Sequence, residues 1–127
     1  AYLATRAALA FRRGLGEDAA VAYTLALARA AAKLLVEGWG TDTLVGDELA
    51  CGMVNVRLPP CADEALLRGL PDTLLERYRT WVPVFQLQGH WYVRVSAQIY
   101  LGLPDFVLLR DAVLDLLSAP SCRLSPP

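Results

Sequence analysis

Lysine and histidine are almost missing from this chain: Lys33 and His90 stand alone. One histidine and three scattered cysteines (Cys51, Cys61 and Cys122), with no Cys-x-x-Cys pair, supply no ligand set for zinc. Lys33 is set among Ala30, Ala31, Leu34 and Leu35 on a helical stretch, which is a surface position rather than the shaped pocket a nucleophilic lysine requires. No glycine-rich phosphate cradle is present. Ser96 has no histidine and acid in a nucleophile-elbow setting, which excludes a hydrolase triad. There is no basic stripe either. Twelve Lys and Arg stand against 13 Asp and Glu, the formal charge is −1 and the pI is near 5.8, so nucleic acid is not an expected partner. The doublet Arg12-Arg13 reads as a solvated helix end. No uninterrupted apolar run approaches the ~20 residues that span a bilayer, so no membrane partner is expected. The layout of a signal peptide is also lacking, because Arg6 interrupts the alanine-rich start. The odd, widely spaced cysteines fit a reducing, cytoplasmic compartment, with Cys51 packed as a small apolar residue.

At 127 residues the chain has room for one domain and one core. Hydrophobic residues make up 55% and charged residues 20%, against about 25% charged in ordinary soluble domains. That excess predicts apolar surface covered by another domain or a second subunit. The sequence begins in mid-pattern without an initiator methionine, as a piece of something longer would.

The periodicities predict helix over 2–13, a stop at Gly14-Leu15-Gly16, and a longer helix over 17–37. In the latter, Val21, Leu25, Ala28, Ala32 and Leu35 form one face, and Gly38 ends it. Residues 51–58 alternate as a strand, with Val54, Val56 and Leu58 on one side and Met53, Asn55 and Arg57 on the other, ended by Pro59-Pro60. A helical region from Ala62 to Arg79 is expected to break at Gly69-Leu70-Pro71, with Asp72 capping its second half. Two strands, 81–87 and 90–96, form a hairpin about Gln88-Gly89. A last helix runs from Pro104 to Leu117 on a stripe of Phe106, Leu109, Val113 and Leu116, and 118–127 reads as a disordered tail. The expected fold is α+β: a two-layer domain with a small, mostly antiparallel sheet of about three strands and helices packed on one face.

Within this frame the informative stretch is Tyr92-Val93-Arg94-Val95-Ser96-Ala97-Gln98-Ile99-Tyr100. Tyr92, Arg94 and Ser96 share one face of a strand, and Trp91, Val93 and Val95 the other. A buried guanidinium cannot discharge, so Arg94 is expected to need a carboxylate from the protein or from a ligand. Its planar fork suits two parallel hydrogen bonds to such a group. The plainer reading is an arginine that snorkels to solvent or pairs with a neighbouring acid.

Taken together, the helix Ala7–Phe11 ending at Leu15-Gly16, the Trp39-Gly40-Thr41 corner, the strand Met53–Pro59, and Val82-Pro83-Val84-Phe85 leading into Tyr92–Tyr100 resemble a known family. With the helix after Asp105-Phe106, their order is similar to the C-terminal small domain of class V aminotransferase-like enzymes. These are fold-type I enzymes that use pyridoxal phosphate, and the isopenicillin-N epimerase-like branch is the nearest flavour. The resemblance covers Tyr2 to about Leu117. It implies that residues 1–117 are a small domain closing over a cofactor held by a Schiff-base lysine on a missing N-terminal domain. It implies further that Arg94 binds the α-carboxylate of an amino-acid substrate. Gln98, in the segment after Arg94, reads equally as a second substrate contact or as a cap of the strand end. The cofactor belongs to the complete protein and not to this piece, and a homodimer is an expected assembly. Epimerase, lyase and aminotransferase chemistry stay open. The desulfurase subtype fits poorly, because its loop cysteine has no counterpart between Ala62 and His90. His90 reads as a solvated turn residue, Tyr92 and Tyr100 as packing residues, and Trp39 as core. Two alternatives stand beside the enzymatic reading: a non-catalytic α+β protein-interaction module, and a domain binding a small carboxylate without covalent chemistry.

Overall fold

In the computed structural model, which describes residues 2–46, 49 and 51–122, the alternation of Val93 and Val95 with Tyr92, Arg94 and Ser96 organises the molecule. These residues lie on β3 (His90–Ser96), the centre of a three-stranded antiparallel sheet of order β1-β3-β2. β1 (Met53–Arg57) pairs Val54 with Val95 and Val56 with Val93, and β2 (Val84–Leu87) pairs Val84 with Val93. Every one of the β1 and β3 valines is buried. With Leu58 and Ala97 they form a single apolar face that the helices cover. The expected α+β architecture is the observed one.

α1 (Tyr2–Gly14) is exposed over residues 4–14, including Leu9 and Phe11. α2 (Glu17–Trp39) lays Leu27, Ala28, Ala31, Ala32, Leu35 and Trp39 onto the sheet and against α4. Its length and a mean hydropathy of 1.5 suffice, on composition alone, to cross a membrane, which departs from the expectation that no such stretch exists. That buried stripe gives it the place of a core helix. α2 also outruns the predicted stop at Gly38. A Cβ there would collide with the aliphatic stem of Arg110, and the left-handed C-cap is Gly40 (φ 65°). Trp39 Nε1 donates to the Arg110 carbonyl at 3.2 Å, fastening the end of α2 to α4.

α3 (Glu64–Tyr78) is one helix, not two. Pro71 sits inside it, and the cap is Asp63, whose side chain accepts the Leu66 N–H at 3.0 Å, rather than Asp72. Leu67, Leu70 and Leu74 face the core from both sides of the predicted break, so burial outweighs the local cost of the proline. α4 (Leu103–Leu117) starts where Asp105 accepts the Gly102 N–H at 2.8 Å and buries Phe106, Leu109, Ala112, Val113 and Leu116.

The hairpin turn uses Gln88 (φ 50°) and Gly89 (φ 79°), the paired left-handed residues that match strand twist in a two-residue loop. β2 is shorter than the predicted 81–87. Pro83 has no N–H to extend the ladder, although its carbonyl still accepts from the Arg94 N–H at 3.0 Å.

The cysteines differ from expectation. Cys61, before α3, is bonded to Cys122, after α4, while Cys51 is exposed and free rather than packed. Pro120–Cys122 form a 3-10 turn with Cys122 buried, so a disordered tail from Ser118 does not hold for Ser118–Cys122; residues 123–127 lie outside the described residues. The bridge closes a loop across 61 positions, and on chain entropy alone this restrains the unfolded state by about 4 kcal/mol. Reduction, or Cys61→Ser, is therefore expected to lower the denaturation midpoint without altering the far-ultraviolet circular dichroism of the folded chain. An unchanged midpoint would show that the bridge adds no stability.

Beside it, the Leu66 N–H and then the Ser121 hydroxyl hold the Asp63 carboxyl below its ordinary value of 3.8. A depressed carboxyl contributes stability above its unfolded pKa, and the contribution fades as pH falls through the folded one. Acid unfolding profiles below about pH 4 should therefore be shallower in Asp63→Ala than in the parent.

Candidate functional site

Two arginines stand on the sheet face that the helices leave open, and the structure treats them differently. Arg57 lies opposite Tyr92, and Asn55 lies opposite Arg94. Arg57 is satisfied within the chain: one nitrogen contacts Asp42 at 3.5 Å and another donates to His90 Nδ1 at 2.9 Å. Nδ1 acts as acceptor in that contact, which places the proton of a neutral His90 on Nε2. Among the described residues the Arg94 side chain has no ion pair and no hydrogen bond.

Arg94 is not buried, contrary to expectation; it is exposed. The strand's two faces have different covers. Val93 and Val95 face the helices, whereas Arg94 emerges on the uncovered side, beside a Tyr92 ring that is itself buried and stacked on Phe85 at 5.8 Å between centroids. The argument from an intolerable buried charge therefore falls. An exposed cation at the edge of a groove takes its place. Asn55 Oδ1, on the position paired with Arg94, is a buried acceptor without a partner among the described residues, an uncommon state for a buried polar atom.

The groove beside Arg94 has a volume of about 420 Å³. Its walls come from three places: the segment Arg79–Pro83 joining α3 to β2, the end of β3 at Arg94–Ser96, and the start of α4 at Asp105 and Phe106. Pro83 lies at its edge, where the ladder along β3 ends with the Arg94 N–H on the Pro83 carbonyl.

Gln98 is exposed and lines a different groove of about 390 Å³, together with Phe11, Val21, Met53 and Ile99. The structure thus does not bring Gln98 and Arg94 to one groove in this state. Lys33 is a helix-surface residue, as its sequence neighbours indicate, and contacts Glu37 at 3.9 Å. Trp39 is core, as expected, but Tyr100 is 80% exposed rather than packed. The wall residues Arg79 and Trp81 escaped the sequence reading. They fell on an assumed helix end and strand start, and the only available signal was Pro83 close behind them.

No protein-family model matches the chain. Among curated proteins it is 31% identical to an L-cysteine desulfhydrase-like protein of Epichloe uncinata over 88% of this chain and 32% of that protein. It is 36% identical to isopenicillin N epimerase of Streptomyces clavuligerus over 88% of this chain and 28% of the epimerase. It is 25% identical to hercynylcysteine sulfoxide lyase of Schizosaccharomyces pombe over 92% of this chain and 29% of the lyase. The chain spans about a third of the length of these relatives. They are lyase- and epimerase-type enzymes of the class V aminotransferase-like, pyridoxal-phosphate kind that the sequence resembles.

Because Arg94 is exposed and has no ion pair among the described residues, Arg94→Ala should shift folding stability by no more than about 0.5 kcal/mol, whereas Val93→Ala, which empties core volume, should cost roughly 1–3 kcal/mol. Parallel denaturant titrations compare the two; equal losses would mean that Arg94 belongs to the structural framework.

Proposed function

We propose that this chain is the C-terminal substrate-binding and closing domain of a pyridoxal-phosphate enzyme acting on an amino acid by epimerase-, lyase- or aminotransferase-type chemistry. In this reading Arg94 holds the substrate's α-carboxylate. The observation that carries it is the contrast on the open sheet face. Arg57 is neutralised by the chain's own Asp42, while Arg94 lines a groove and makes no ion pair among the described residues. The similarity to desulfhydrase-like, epimerase and lyase proteins supports the same reading.

The residues here do not form the cofactor's own site. Lys33, the sole lysine, is exposed and paired with Glu37, so the lysine that carries the cofactor belongs to another part of the protein. When bound, the cofactor supplies the electron sink for the bond broken at the α-carbon. The task left to this chain is orientation. A bidentate guanidinium fixes both the position and the plane of a carboxylate, and so sets which α-carbon bond faces the reacting group. A rigid central strand gives Arg94 a fixed origin, and a groove that narrows on closure would strengthen the grip by removing water.

A second reading has one observation in its favour. α1 is exposed along residues 4–14, with Phe11 at 66%, as a protein-interaction module would present it. The two readings separate in the complete protein. Arg94→Ala is expected to weaken amino-acid substrates by about 2–5 kcal/mol, read as a rise in KM, with cofactor content and circular dichroism unchanged. An unaltered KM would leave the interaction module as the better account.

A further inference from the structure

Arg94 shares its groove with a second guanidinium. Arg79 is the C-cap of α3 and takes a left-handed backbone (φ 56°), a conformation that glycine adopts freely and an L side chain rarely does. A strained non-glycine residue held on the wall of a groove is a reason to ask what its side chain does there. Among the described residues Arg79, like Arg94, makes no ion pair and no side-chain hydrogen bond. Among the described residues Asp105 is the one acid lining the groove, and its Oδ2 is engaged with the Gly102 N–H at 2.8 Å. Trp81, 58% exposed, lies two residues after Arg79 on the same wall. At about 420 Å³ the groove is within the range that small-molecule sites occupy.

We infer that the groove takes an amino acid bearing a second carboxylate, with the α-carboxylate on Arg94, the distal carboxylate on Arg79, and the intervening carbon chain along the face of Trp81. This inference rests on the reading of Arg94 given above and adds the substrate class. Two cations lining one groove, neither with an ion pair among the described residues, favour a ligand with two anionic ends over one with a single such end. A cysteine-type substrate would leave Arg79 without a partner. The paired charges also make the preference dependent on ionic strength, since exposed arginines are screened by salt.

The test is a nuclear magnetic resonance titration of the 127-residue chain, which has a single continuous core of its own, with butyrate, succinate, glutarate and adipate. The arginine side-chain signals serve as reporters. At least one dicarboxylate should bind at least tenfold more tightly than butyrate, and the advantage should shrink in high salt. Arg79→Gln and Arg79→Gly should both abolish the advantage while leaving butyrate binding as it was; the glycine variant also relieves the backbone and so guards against a folding defect. Arg94→Gln should weaken every acid. Equal affinity for butyrate and all the dicarboxylates, or an advantage that survives both Arg79 variants, would overturn the inference while leaving Arg94 as a carboxylate site. If no acid perturbs Arg94 at all, the inference and the reading beneath it fall together.

Discussion

The register of β3 is the constraint on which the rest depends. The helices cover one face of the sheet, and Val54, Val56, Val93 and Val95 must all point into that layer. A slip of one residue would turn Arg94 into the core and a valine out to solvent, so a single strand position is heavily specified. The same pairing that buries the valines thereby sets a guanidinium on the uncovered face, and the rest of the molecule adds walls around it. The Gln88-Gly89 turn pins the hairpin, Pro83 ends pairing beside Arg94, and α4 enters opposite, fixed at its start by Asp105.

The open face also shows how the chain separates framework charges from available ones. Arg57 is tied to Asp42 and His90, so it serves the corner at Thr41, whose hydroxyl donates to the Arg57 carbonyl at 2.8 Å. Arg94, one diagonal step away on the ladder, is left without such partners among the described residues. The difference lies in the connection 41–43, which runs back along β1 near Arg57 through the Thr43–Val56 bridge. The apolar surface that composition anticipated is present as well, on α1 and around Met53 and Ile99.

The layer architecture was legible because its signals are periodic. Val54-x-Val56 and Val93-x-Val95 carry the two-residue repeat, and Phe106, Leu109, Val113 and Leu116 carry the helical one. What failed was local punctuation overridden by packing. Gly38 and Gly69-Leu70-Pro71 look like breaks, yet Trp39, Leu70 and Leu74 are worth more buried than the breaks cost. The Cys61–Cys122 bridge was not legible at all, since its halves are brought together only by the packing of α3 against α4. Of the site, Arg94 could be picked out as a residue but not placed: alternation named its face, while whether that face is covered is decided by the helices. Gln98, four residues further on, lies beyond the end of the strand, where periodicity no longer says which groove a side chain enters.

The central claim is that Arg94, which pairs with no acid among the described residues, is there to hold the acid group of a ligand. The most direct measurement is a crystal structure of the complete protein, cofactor bound, with an amino-acid ligand in place. The account predicts both guanidinium nitrogens of Arg94 on the ligand's carboxylate, at about 2.7–2.9 Å. An Arg94 paired instead with an Asp or Glu of the protein, or directed into solvent while the carboxylate sits elsewhere, would contradict it.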